Sequence, residues 1–115
     1  MKMKLVALDR SAERAAEFLR AVAHPGRLRI VCALIEGERT ASELARGSRM
    51  RAPALSQQAA ILESGGLIAR RREGQSVLYK LVAPEGKALA SFLYKLYCKP
   101  VKAPARRSAV KRPAR

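Results

Sequence analysis

Turn-formers and helix breakers divide this chain into pieces too short to fold alone. His24-Pro25-Gly26, Gly47-Ser48, Pro53, Gly65-Gly66 and Pro84 fall between apolar stretches, so the fold must be an assembly of short elements. Helices below about 12–15 residues are marginal in water, and each piece gains stability by laying one apolar stripe on the others.

The stripes can be read off directly. Ser11 to Ala23 predicts a first helix, with Ser11 as N-cap and Ala15, Phe18, Leu19 and Val22 on one face. Pro25 suits the opening turn of a second helix that carries Leu28, Val31, Cys32 and Ile35 and closes at Glu36-Gly37-Glu38. Thr40-Ala41-Ser42-Glu43 has capping-box spacing and opens a short third helix, which Gly47-Ser48 is expected to stop. Pro53 opens a fourth helix running to about Ser64, with Gly65-Gly66 beyond it. The pattern then changes to a period of two. Leu67 to Arg72 and Ser76 to Leu81 read as two strands joined by Glu73-Gly74-Gln75. Pro84 opens a last helix with Leu89, Phe92, Leu93 and Leu96 on one face, ending near Cys98.

Charge says more about partners than about fold. Twenty-four Lys and Arg against nine acids leave +15, which calls for a polyanion or an anionic surface. No apolar run approaches the roughly 20 residues that span a bilayer, and Met1 to Leu8 lacks a signal-peptide pattern. The expectation is a cytoplasmic, nucleoid-associated protein with no membrane partner. Lys99 to Arg115 holds seven Lys or Arg, three prolines and no acid, so it is expected to be a disordered basic tail. Taking those seven charges from +15 leaves +8 on the rest. The organisation expected is therefore an N-terminal extension (1–10), one domain (11–98) and the tail (99–115).

Two short helices around a tight break, followed by a charged hairpin, are the parts of a winged helix-turn-helix, mainly α with a two-stranded β wing. The second helix of the pair, Pro53 to Ser64, would then enter the major groove of double-stranded DNA, where base edges are distinguishable. Its early turns offer Ala54, Ser56, Gln57 and Gln58. Gln can bond an adenine edge through two atoms, Ser can donate or accept, and Ala can meet a thymine methyl. Arg49 and Arg51, just before the helix, suit phosphates, which fix register without reading sequence. Arg70, Arg71, Arg72 and Gln75 place charge on the wing. Each feature alone also fits a solvated helix face or a charge-blunted edge strand. Together, on a +15 chain, they point to DNA.

His24-Pro25-Gly26-Arg27-Leu28, Leu55-Ser56-Gln57-Gln58 and Arg71-Arg72-Glu73-Gly74-Gln75, in this order and spacing, resemble the ArsR/SmtB family of small dimeric repressors. The resemblance covers about residues 15 to 98. It implies five helices, a homodimer formed through the first and last of them, a palindromic operator, and an inducer that releases DNA. It does not carry over the family's metal sites. Glu38 to Glu43 holds no Cys, Glu85 to Cys98 holds no Asp or His, and the single histidine, His24, sits at a helix start where a structural role is expected. Two cysteines and one histidine cannot fill a tetrahedral soft-metal site, so neither a metal nor another cofactor is expected.

The cysteines follow a different branch. Cys32 within Ile30 to Glu38 and Cys98 at the end of Leu93 to Cys98 resemble the persulfide-sensing, BigR/SqrR-like members in context and in separation. That resemblance implies a redox switch in which reactive sulfur species, such as glutathione persulfide, link Cys32 to Cys98 and free the promoters of sulfide-response genes. A thiolate that attacks a sulfane sulfur becomes a persulfide, which a second thiol can resolve. Arg29, Lys95 and Lys99 favour the thiolates, while the C-terminal helix dipole opposes one at Cys98. The rival reading is a metal-independent winged-helix or architectural DNA binder whose cysteines are structural; a cysteine on an apolar helix face, as Cys32 is, commonly acts as a small core residue. An enzyme is not expected, because no histidine base or oxyanion loop accompanies either thiol.

Overall fold

A computed structural model describes residues 5–98. The chain runs α1 (Leu5–Val22), α2 (Pro25–Ala33), β1 (Arg39–Thr40), α3 (Ala41–Ser48), α4 (Ala52–Ser64), β2 (Ile68–Glu73), β3 (Ser76–Leu81) and α5 (Pro84–Leu93), which continues as a π-helical turn, Tyr94–Cys98. This is a winged helix-turn-helix, with five helices and a small antiparallel sheet. The proposed basic tail lies outside the described residues.

Each boundary has a local cause. Pro25 and Pro84 open α2 and α5, and Pro53 lies in the first turn of α4, where a missing amide proton costs nothing. His24 caps α2: its Nδ1 accepts from the Gly26 and Arg27 amides at 3.0 and 3.3 Å. The lone histidine is thus a helix cap. Thr40 Oγ1 accepts from the Glu43 amide at 3.1 Å while the Glu43 carboxylate accepts from the Thr40 amide at 2.9 Å, the reciprocal pair that the spacing predicts.

Three expectations need correction. The first helix starts at Leu5, so Ser11 lies inside it rather than capping it, and the boundary between extension and domain drawn at residue 11 falls within a continuous helix. Leu5 to Arg10 contains no breaker, and an N-cap preference has no effect where the helix is already propagating. Gly47 and Ser48 do not stop α3; they are its last two residues. The stop is Arg49, at φ 59°, ψ 45°. The Met50 amide reaches back to the Ala45 carbonyl at 2.9 Å and the Arg49 amide to Arg46 at 3.2 Å, a Schellman closure with arginine in the place glycine usually takes. Finally the sheet has three strands, in the order β1-β3-β2. The extra strand pairs Arg39 with Tyr79 and Thr40 with Leu78.

The hairpin register places Glu73 opposite Ser76 around a two-residue loop, and Gly74 takes φ 64° there. Such a loop needs a left-handed residue, which glycine adopts without strain. One core unites the elements: Ile30, Val31 and Leu34 from α2 and its following turn, Leu44 from α3, Leu55, Ala59 and Leu62 from α4, Leu67, Ile68 and Tyr79 from the sheet region, and Ala90 from α5. Helix α2 lies at its centre, packed against α1, α3, α4 and α5.

Candidate nucleic-acid interface

Helix α4 buries Leu55, Ala59 and Leu62 and leaves the other side open. Ala54, Ser56 and Gln57 are exposed and Gln58 is half-buried at the flank of the packed face. The three-residue break before it, Arg49-Met50-Arg51, turns its first and last side chains outward, and both arginines are exposed. Arg49 holds a left-handed backbone conformation that costs a non-glycine residue about 1 kcal/mol or more. The break therefore sets two guanidinium groups at the entrance to α4.

The wing is arranged differently from its sequence. Alternation along β2 sends neighbouring arginines to opposite faces. Arg70 meets Glu63 at the end of α4, Nε to carboxylate oxygen 3.2 Å. Arg71 makes a two-pronged pair with Glu38, at 2.7 and 3.0 Å, and lies 3.6 Å from Glu73. Arg72 and Gln75 are exposed, and among the described residues Arg72 has no ion pair. Of the sequence-selected residues, Arg49, Arg51, Ala54, Ser56, Gln57, Arg72 and Gln75 are exposed on break, helix and wing, and Arg72 is the wing arginine without an ion pair among the described residues. Arg70 and Arg71 instead tie the wing to the helical body.

Two residues that hold this surface escaped the sequence reading. Glu38 comes before β1 and reaches a partner 33 positions away, a pairing with no local signature. Arg27 stands in the quoted His-Pro-Gly-Arg segment, yet nothing there indicates that its Nη1 donates to Gln58 Oε1 at 2.8 Å.

Two carboxylates on this side titrate below their ordinary value of 4.5. Arg71's side-chain hydrogen bond holds Glu38 down, and the backbone hydrogen bond from Thr40 does the same for Glu43. A carboxylate with a depressed folded pKa stabilises the fold above its unfolded value and loses that contribution as pH falls through the folded one. The wing and the start of α3 should therefore loosen first on acidification below about pH 4.5, relative to α2. Amide exchange of β1 and β2 against α2, followed from neutral to acidic pH, checks this; uniform loosening would contradict it.

The two cysteines stand elsewhere. Cys32 is half-buried on α2 and packs against the core, and Cys98 closes the π-helical turn after α5. Among the described residues no three His, Cys, Asp or Glu gather as a metal site, and no helix is long and apolar enough to cross a membrane. A surface cavity of about 560 Å³ is lined, among the described residues, by α1 side chains between Asp9 and Arg20.

Comparison with known proteins gives the same outline. Residues 24–70 match the family described as "Bacterial regulatory protein, arsR family". The chain is 34% identical over 99 residues to the biofilm growth-associated repressor of Agrobacterium fabrum, covering 86% of this chain and 85% of that protein. It is 36% identical over 96 residues to the transcriptional activator HlyU of Vibrio cholerae, covering 84% and 89%. The structure of reduced HlyU from that organism superposes with a TM-score of 0.78, at 35% identity, over 81% of this chain and 98% of that one. A homodimeric winged helix-turn-helix DNA-binding domain from Mycobacterium bovis, a possible ArsR-family regulator, superposes with a TM-score of 0.65 at 27% identity, over 84% and 86%.

Proposed function

The chain belongs to the arsR family of bacterial regulatory proteins, and from that premise we propose that it is a homodimeric repressor that senses reactive sulfur species through Cys32 and Cys98. As a DNA-binding transcriptional regulator it is not an enzyme. The reading of its signal rests on one observation: α2, which carries Cys32, packs directly against α5, whose π-helical continuation ends in Cys98. π-Helical turns concentrate at functional sites. That a relative has been described in a reduced form also supports a redox input.

The chemistry balances without a metal. One cysteine thiolate attacks the outer sulfur of glutathione persulfide, and glutathione thiolate leaves. The other thiolate attacks the protein persulfide at its inner sulfur, expelling hydrosulfide and leaving a disulfide. When both cysteines are persulfidated, the terminal sulfur of one attacks the inner sulfur of the other and a trisulfide forms with the same leaving group. Each added sulfur lengthens the link by up to roughly 2 Å. Linking α5 to α2 would change how the dimer helices sit on the helix that supports α4. The test is intact mass and DNA binding before and after glutathione persulfide, with peroxide and glutathione disulfide as controls. Sulfur added across Cys32 and Cys98 with release of DNA, abolished by Cys32→Ser or Cys98→Ser, is the expected result. DNA held in every sulfur state would make both cysteines structural, a reading favoured by Cys32's packing on the core.

DNA contacts are assigned in the same proposal to Arg49, Arg51, Arg72 and Gln75 for phosphates or the minor groove, with Arg70 and Arg71 adding field. Ala54, Ser56, Gln57 and Gln58 face base edges. Arg49 offers a test that separates fold from function. Arg49→Gly relieves the left-handed strain and should raise stability by about 1 kcal/mol. The same change should lower the slope of log affinity against log salt by about one contact. Thermal melts and salt-dependent binding measure the two effects; a destabilised variant would show that arginine suits this conformation.

A further inference from the structure

The Arg27 guanidinium makes three bonds in three directions. Its Nε donates to the Ala21 carbonyl, Nη2 to the Arg20 carbonyl at 3.3 Å, and Nη1 to Gln58 Oε1 at 2.8 Å. The first two reach carbonyls in the last turn of α1, where intrahelical donors run out, although the Arg20 carbonyl also takes the Ala23 amide at 3.4 Å. The third crosses to the reading helix, 31 positions away.

A guanidinium only donates, so the group of Gln58 that faces it must be the carboxamide oxygen. The amide nitrogen is bonded to the same carbon on the opposite side and is turned away from Arg27. Among the described residues Gln58 makes no other hydrogen bond. Leu55 and Leu62, one turn to either side on the packed face, are buried, and Gln58 itself is half-buried.

We propose that Arg27 is a specificity-determining positioning residue: it holds Gln58 so that only its amide N–H groups face DNA. The inference rests on α4 being the helix that reads bases. A glutamine free at both ends takes adenine through an acceptor and a donor together. One with its oxygen held back presents donors alone. It selects base edges with a major-groove acceptor, which are the N7 of either purine, guanine O6 and thymine O4. It rejects cytosine, which offers only the N4 donor there. Arg27 thereby turns an adenine reader into an acceptor reader. A lysine could not substitute, because a single ammonium on a flexible stem cannot serve three acceptors in a fixed plane.

The experiment selects bound duplexes from a pool randomised over about two turns, using the full chain, and then measures affinity for single-base variants of the selected sequence. Gln58→Glu keeps the bond to Arg27 but replaces the outward donors with an acceptor, so it locates the base pair in question by moving preference there toward cytosine, whose N4 donates. At that pair the unmodified protein should tolerate adenine and guanine within about threefold. Arg27→Met frees the carboxamide oxygen and should raise adenine over guanine by about five- to tenfold, the discrimination that one added base contact gives. Preferences left unchanged by Arg27→Met at that pair, with affinity falling equally for all duplexes, would make Arg27 a plain strut and overturn the proposal. Should Arg27→Met fail to fold, Gln58→Glu still decides, because unaltered preference in that variant also overturns it. Ser56→Ala and Gln57→Ala separate the two levels: if they too leave every preference intact, α4 is not the reading helix.

Discussion

Leu62→Ala is expected to cost about 2–5 kcal/mol, the range for deleting a fully buried leucine side chain. Leu62 is wholly inaccessible, and it stands where α4 meets α1, α2, α3 and β2. Its carbonyl also accepts the Leu67 amide at 3.0 Å, closing the turn that leads into the wing. Alanine would leave a void in the core cluster it shares with Ile30, Leu44 and Leu55, which belong to helices that would have to shift to close it. A domain of this size has only about 5–15 kcal/mol of stability, so the loss is a large fraction of the whole. The melting point should fall by more than about 10 °C, taking roughly 4–8 °C per kcal/mol. Ile61→Ala is the matched control. One step along the same helix, Ile61 is 43% exposed, and its truncation should cost less than about 1 kcal/mol. Equal losses at the two positions would mean that α4 is packed on another face.

The second large effect concerns assembly. Phe92, Leu96 and Tyr97 are 58%, 57% and 79% exposed, and Leu5 and Leu19 on α1 are 79% and 50% exposed. This apolar surface on the first and last helices is where the proposed homodimer would form, and the M. bovis neighbour is itself described as a homodimer. Phe92→Asp combined with Leu96→Asp should therefore yield a folded monomer. Two linked readers gain about 10²–10⁴ in avidity over one, so operator affinity should fall by roughly 100-fold or more. Sedimentation and binding titration check the two halves of this expectation. A variant that remains dimeric would place the interface elsewhere.

What could be read from the sequence was local. The Thr40–Glu43 box and the prolines in the first turns depend on residues a few positions apart and stand where the spacing puts them, while the expected Glu73–Gln75 loop is shorter by Glu73, which ends β2. The start of α4 differs from expectation by one residue. The elements that were not legible are held by distant partners. β1 is two residues long and exists because β3 offers it a ladder, so no periodicity announces it. Arg71 reads as a wing cation awaiting phosphate until Glu38 is seen beside it. Arg49 hides for another reason: glycine statistics point to Gly47, and only the fold shows the left-handed residue two places later. The exposed α4 residues were legible from helical period, but the commitment of Gln58 to Arg27 was not.

Residues 38 to 40 form a mechanical joint. Glu38 grips the wing, Arg39 and Thr40 add the third strand, and Thr40 caps the helix that precedes the reader. Three consecutive positions thus link hairpin and helical pair as the two jaws of one calliper. Such a tool does not lose its grip by opening its own jaws. A signal arriving at α5 would have to tilt one calliper against the other, and the quantity it changes would be the length of DNA between them.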